Sequence, residues 1–237
     1  MEQLSRHNWG GSGYPMADVT MRELTPFLRH LGRVAYTETW HAMREFTDAR
    51  GPGTADELWV LEHPPVYTLG WNAREAHVLD AGGIPVVRCD RGGQVTYHGP
   101  GQLIVYTLVD LRRRRLGVRA FVHLLEQSVL DLLTGYGIRG ERRAGAPGVY
   151  VGGAKLAALG LRLRRGAAYH GLSLNVAMDL APFRRIDPCG FAGLPVTQLC
   201  DLGGPDDPAQ VVAPLLAVLD TALRTPESGP GASAPTS

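Results

Sequence analysis

Leu156-Ala157-Ala158-Leu159-Gly160-Leu161-Arg162-Leu163-Arg164-Arg165-Gly166-Ala167-Ala168-Tyr169-His170-Gly171-Leu172-Ser173-Leu174-Asn175-Val176 is the stretch that decides the fold class. Apolar and basic residues alternate from Leu161 to Arg164, and apolar and polar residues alternate from Leu172 to Val176. A period of two places alternate side chains on opposite faces, so Leu156–Leu163 and Tyr169–Val176 read as antiparallel strands with one wet face. Arg165-Gly166 between them reads as a hairpin turn. Working outward, Leu58–Leu61, Val66–Leu69, Pro85–Cys89, Leu103–Val109 and Val149–Val151 are further short runs of strand formers. Helical spacing of apolar residues appears over Leu31–Phe46, Arg119–Leu133 and Pro208–Leu223, with Gly135 and Gly137 as stop signals for the second. Helices and strands do not strictly interleave, so the reading is α+β, a largely antiparallel or mixed sheet packed with helices.

The chain has 237 residues, within reach of one large domain. No long linker interrupts residues 19–225, which are read as that domain. Residues 1–18 are read as a flexible extension, and 226–237 (PESGPGASAPTS begins at Pro226) as a disordered tail. The formal charge of +1 argues against an electrostatic nucleic-acid binder. No apolar run approaches the roughly 18 residues of a membrane span, and the first residues lack a signal-peptide core. Cys89, Cys189 and Cys200 show no disulfide or zinc spacing. A cytoplasmic setting without metal or cofactor is the expectation.

Of the 24 basic residues, Lys155 is the only lysine. Arginine stays charged at accessible pH, whereas a lysine can give up its proton. A lone lysine inside Gly-Gly-Ala-Lys is therefore a candidate for proton chemistry, although an Arg-rich composition also leaves such a residue by chance. Arg91-Gly92-Gly93-Gln94-Val95-Thr96-Tyr97-His98-Gly99-Pro100-Gly101-Gln102 is the densest polar and glycine-rich segment. It matches neither the phosphate loop, lacking Gly-Lys-Ser/Thr, nor the dinucleotide motif. It reads either as a glycine-rich hairpin or as backbone brought against a ligand. Asp187-Pro188-Cys189-Gly190-Phe191-Ala192-Gly193 puts Cys189 on a turn, where an exposed thiol and free backbone N–H groups suit a nucleophile. An adjacent ammonium would favour its thiolate, and Lys155 is the lysine available. Cys89 and Cys200 fit the ordinary buried thiol. Arg112-Arg113-Arg114-Arg115 reads as a solvated loop or as a docking patch for an acidic partner.

Glu62-His63-Pro64-Pro65-Val66-Tyr67-Thr68-Leu69-Gly70, the Arg91–Gln102 segment, Gly153-Ala154-Lys155-Leu156-Ala157-Ala158-Leu159-Gly160, His170-Gly171-Leu172-Ser173-Leu174-Asn175-Val176 and Asp187-Pro188-Cys189-Gly190 occur in that order. This set resembles the octanoyl-[acyl carrier protein]:protein octanoyltransferase family over about residues 20–224. The resemblance departs at Trp71-Asn72, where the family often has a basic residue. It implies a fold similar to the catalytic domain of biotin and lipoate protein ligases. It implies transfer of an octanoyl group from acyl carrier protein to Cys189, then to a lysine of lipoyl domains of 2-oxoacid dehydrogenase E2 subunits or of the glycine-cleavage H protein. Lys155 matches the family's acid/base lysine. Arg91, Gly92, Gly93, Gln94, Val95, Thr96, Tyr97 and His98 match its substrate-binding segments, as do Ala158, Leu159, Gly160, Gly171, Leu172 and Ser173. Gly92, Gly93, Gly99, Ala157, Ala158 and Gly160 are expected to leave a slot for the acyl chain. An ATP-dependent ligase on the same fold, and a silent carrier-binding module, are the alternatives.

Overall fold

Arg165 and Gly166 form the expected turn. In the computed structural model, which describes residues 25–187 and 193–224, both have positive φ, 50° and 83°. Two left-handed residues in succession match the twist of a hairpin. The flanking strands β8 (Ala154–Arg164) and β9 (Ala167–Asn175) pair antiparallel, with Leu161 opposite His170. They lie in a six-stranded sheet ordered β1-β2-β6-β9-β8-β7. Its other members are β1 (Phe27–Arg33), β2 (Glu57–Glu62), β6 (Gln102–Asp110) and β7 (Gly148–Val151). The β1–β2 pair is parallel and the remaining pairs are antiparallel, so the sheet is mixed. A second sheet, ordered β4-β3-β5, contains β3 (Val66–Leu69), β4 (Val86–Arg88) and β5 (Val95–His98).

Strand alternation sorts the large sheet into two apolar faces. Leu58, Val60, Leu103, Val105, Leu172 and Leu174 point to one side, against α2 (Val118–Gly135) and α3 (Pro208–Arg224). Trp59, Leu61, Ile104, Tyr106 and Tyr169 point to the other, against Met43 of α1 (Tyr36–Asp48). Burying each large apolar side chain in these layers stabilises the fold by about 1.5–3 kcal/mol. The small sheet carries a separate apolar cluster of Tyr67, Leu69, Val95 and Tyr97 packed on Phe183 and Ile186.

Three expectations need correction. Leu31 is a strand residue, not a helical one. The spacing over Leu31–Phe46 combines β1, which ends at Arg33, with α1, which starts at Tyr36. Pairing of His30 and Gly32 with β2 keeps the segment extended, and Leu31 sits at the register shift between them. Second, β9 has no wet face, since all nine of its residues are buried. Its polar side, Ser173 and Asn175, faces the interior cleft described below. Third, the Arg112–Arg115 run is not merely solvated. Asp56 is wholly buried and accepts hydrogen bonds from Arg113 Nη2 (2.7 Å), Arg114 Nε (2.7 Å) and Arg50 Nη1 (3.1 Å). Arg114 Nη1 also donates to the Leu223 carbonyl at 2.6 Å. Two of the four arginines thus tie the β6–α2 loop to Asp56, just before β2, and to the end of α3. The expected boundaries near residues 18 and 226 lie outside the described residues.

Candidate active site

The polar side of β9 is the floor of a cleft enclosing about 780 Å³ of empty space, its open mouth included. The floor is built in rows across three strands. Gln102 faces Asn175; Ile104 faces Ser173, which faces Ala158; Tyr106 faces Gly171, which faces Gly160. Small residues in the second and third rows keep the floor low. The roof is the Arg91–Gln94 loop leading into β5.

Arg91 and Asp90 fix this roof. Arg91 is buried, and its guanidinium donates to the Thr68 carbonyl (2.6 Å), the Thr68 hydroxyl (2.9 and 3.1 Å), the Gln94 carbonyl (2.6 Å) and the Gly92 carbonyl (2.9 Å). Its donors are committed to its own loop and to Thr68 of β3. Asp90 accepts from Trp40 Nε1 (2.8 Å), His170 Nε2 (3.1 Å) and the Tyr169 hydroxyl. Burial alone would raise the Asp90 carboxyl, but the hydrogen bonds from His170, Tyr169 and Trp40 outweigh it and hold it well below the usual carboxylate range. His170 reaches Asp90 because its φ is +62°. Strict alternation would send its side chain toward the Leu172 face; the left-handed backbone turns it to the side of Tyr169 instead.

The roof touches the floor at one end. Gly92 N–H donates to the Leu161 carbonyl at 2.8 Å. A Cβ on Gly92 would lie 3.2 Å from that oxygen, and one on Gly160 would lie 3.2 Å from the Gly92 carbonyl. Lys155 stands at the other end, roughly 17 Å away at about 3.3 Å per strand residue. It is 5 % exposed; its ammonium donates to the Pro147 carbonyl at 3.3 Å and sits 5.2 Å from the Tyr150 ring centroid. Its backbone is clamped by the returning chain: Lys155 N–H donates to the Pro195 carbonyl (2.8 Å), and Thr197 N–H donates to the Lys155 carbonyl (3.0 Å).

The cleft thus gathers Arg91, Gly93, Gln94, Val95, Thr96, His98, Lys155, Ala158, Leu159, Gly160, Gly171, Leu172 and Ser173 from the expected set. Gly92 and Tyr97 are not among its lining residues. Tyr97 points to the opposite side of β5, edge-on to Phe183 with ring centroids 5.4 Å apart. Gly99 makes room for Tyr97 rather than for a slot, because a Cβ there would lie 2.3 Å from the Tyr97 hydroxyl. Ala157 is buried in the core under α2 and α3. Cys189 lies outside the described residues. Cys89 is buried, its thiol donating to the Leu69 carbonyl at 3.5 Å. Cys200, expected to be buried, is half-exposed on a short 3₁₀ turn (Cys200–Leu202); burial and the neighbouring Asp201 carboxylate push its thiol up.

Burial pushes His98 down to about 3 and His63 to about 4, so both are neutral at neutral pH. Tyr36, Ile104, Tyr106, His170, Asn175, Phe183 and Val196 also line the cleft. Alternation along β6 would have placed Ile104 and Tyr106 on one face with Gln102. Nothing local in the sequence points to Tyr36 or Phe183. Among the described residues no group of three His, Cys, Asp or Glu side chains is placed to hold a metal, and no helix is long and apolar enough to cross a membrane.

A groove with apolar walls, a low floor and a buried ammonium at one end can hold a flexible chain with its reactive head beside the lysine. Comparison with known proteins agrees with this architecture. Residues 35–219 match the family model of the lipoyl protein ligase A/B catalytic domain. An octanoyltransferase of Methylococcus capsulatus is 62% identical over 192 residues, 81% of this chain and 91% of that protein. A bi-partite lipoate protein ligase of Thermoplasma acidophilum shares the fold with a TM-score of 0.69 at 16% identity, over 84% of this chain and 83% of that one. A biotin protein ligase from Aquifex aeolicus does so with a TM-score of 0.57 at 16% identity, over 84% and 70%. The chain belongs to the lipoyl protein ligase A/B catalytic-domain family and groups there with the octanoyltransferases.

Proposed function

We propose that this acyltransferase moves an octanoyl group from the thioester of acyl carrier protein to Cys189, and then to the ε-amine of a lysine on a lipoyl domain. E2 subunits of 2-oxoacid dehydrogenases and the glycine-cleavage H protein are the acceptors. The observation that carries this reading is Lys155, the only lysine of the chain, buried at the end of an apolar cleft. Its backbone is held by Pro195 and Thr197, six and eight positions after Cys189 in the sequence.

In the first half, the Cys189 proton resides on Lys155 as the ammonium, which leaves the cysteine as a thiolate. The thiolate attacks the thioester carbonyl, the new C–S bond forms, and the bond to the pantetheine sulfur breaks. The departing thiolate takes the proton from the Lys155 ammonium. In the second half, the acceptor amine attacks the Cys189 thioester, passes a proton to Lys155, and displaces the cysteine thiolate, which recovers that proton. Thioester exchange is nearly balanced and amide formation is downhill, so neither half requires ATP. Splitting the reaction in this way predicts ping-pong kinetics. An extended eight-carbon chain, with bonds of about 1.5 Å, reaches roughly 9 Å. It fits between Lys155 and the Gly92–Gly160 contact, and each buried methylene contributes about 0.8 kcal/mol.

The test is initial-rate kinetics with octanoyl-carrier protein and an apo lipoyl domain, without nucleotide. Parallel double-reciprocal lines are expected. Transfer that appears only with ATP and free octanoate would replace this reading with a ligase; a bound carrier with no transfer would replace it with a binding module.

A further inference from the structure

Two amides from two separate motifs, Gln102 and Asn175, meet in the cleft with no role in the mechanism above. Both are buried, 1 % and 5 % exposed. The polarity of their hydrogen bonds is determined from one end. The Thr197 carbonyl can only accept, and Asn175 Nδ2 donates to it at 2.9 Å. Asn175 Oδ1 therefore faces Gln102 and accepts from its Nε2 at 2.9 Å. That same Nε2 also reaches the Tyr97 carbonyl at 3.3 Å, a second group that can only accept. Gln102 Oε1 is thus left to accept from His98 Nδ1 at 2.7 Å. A neutral His98 must then carry its hydrogen on Nδ1 and present a lone pair at Nε2. The Thr68 hydroxyl lies 3.4 Å from that lone pair and itself accepts from Arg91.

The relay ends on the segment that holds the lysine. Thr197 is fixed from both sides, its N–H on the Lys155 carbonyl and its carbonyl on Asn175. The Asn175 carbonyl accepts from Leu199 N–H at 3.0 Å, two residues further along. Without the Asn175 amide, Thr197 would keep its strand-like bond to Lys155 but lose its own bond to β9, leaving the backbone bond at Leu199 as the nearest tether.

We propose that Asn175 is a positioning residue for acyl transfer: its amide pins Thr197 between β9 and Lys155 and so sets the place of the lysine at the cleft end. The assignment rests on the transferase reading above. It touches no reacting atom; it acts through the geometry of Lys155. A displacement of about 1 Å at a reacting group costs roughly 100-fold in rate.

Two variants test it. Asn175→Leu removes both ends of the relay at similar size. Asn175→Asp keeps the acceptor for Gln102 and, when ionised, loses the donor to Thr197. Both should lower kcat about 100-fold at pH 8 while the KM for octanoyl-carrier protein stays within about twofold, with cooperative melting retained. A kcat for Asn175→Asp within threefold of the parent, or a loss confined to KM, overturns the proposal. If neither variant folds, ¹⁵N spectra of the parent decide: the neutral Nδ1–H form of His98 is expected, and an Nε2–H form breaks the relay and the proposal with it. The parent protein is assayed in parallel. Absence of octanoyl transfer by the parent itself overturns the transferase reading, whereas normal transfer with unaffected variants overturns only the role of Asn175.

Discussion

Replacing Ala158 by leucine should change which acyl chain the protein accepts. Ala158 faces Ser173 in the middle row of the cleft floor and lines the cleft. It stands three residues from Lys155 along β8, roughly 10 Å at about 3.3 Å per residue, where the last carbons of an octanoyl chain would lie. Leucine adds three carbons at that point and displaces about three methylenes of the ligand. At about 0.8 kcal/mol per buried methylene the loss is about 2.4 kcal/mol, or about 60-fold in kcat/KM for the octanoyl donor. A butyryl donor ends short of this row and should change less than about threefold. The assay is competition between octanoyl- and butyryl-carrier protein for one limiting lipoyl domain, read by mass spectrometry of the product. Equal losses for both donors would mean that the chain does not run along β8, and would refute the placement.

Asp56→Asn should destabilise the fold by about 3–5 kcal/mol, because three arginines would be left around a neutral amide; for a domain of this size the melting temperature should fall by about 6–20 °C. Arg114→Met should lower the melting temperature while leaving the KM for the carrier protein unchanged, since its guanidinium is bound to Asp56 and Leu223; a raised KM with unaltered melting would favour the docking-patch reading. His98 and His63 are held neutral, at about 3 and about 4 against an ordinary 6.5. The unfolded chain therefore binds protons that the native chain refuses, so stability should be steady above about pH 6.5 and fall as pH drops toward 4; denaturant titrations at pH 7.5 and 4.5 read this, and His98→Gln should flatten the difference. Gly92→Ala should lift the roof, because its Cβ would press within 3.2 Å of the Leu161 carbonyl; a raised KM for every acyl donor, irrespective of chain length, is the expected reading.

Much of the fold was legible because the large sheet obeys simple periodicity. The β8–β9 hairpin, α2 and α3 follow directly from alternation, helical spacing and a turn with two left-handed residues. The error at Leu31 came from a short edge strand running into a helix, where apolar residues in β1 mimic a helical stripe. The wet face expected for β9 is dry because Ser173 and Asn175 face an interior cleft; a strand pattern reports polarity, not exposure. Tyr97 could not be separated from His98 by motif, but the parity of β5 sends them to opposite sides. The role of Arg113 and Arg114 was hidden because Asp56, their partner, lies nearly sixty positions away in the chain.

The central claim is a covalent acyl-cysteine assisted by Lys155. Its most direct test is intact-protein mass spectrometry after mixing with octanoyl-acyl carrier protein in the absence of ATP. One octanoyl adduct is expected, removed by hydroxylamine, absent in Cys189→Ser and strongly slowed in Lys155→Arg, because arginine keeps the charge but does not release the proton. No adduct on the parent protein, or an undiminished adduct in Cys189→Ser, would contradict it.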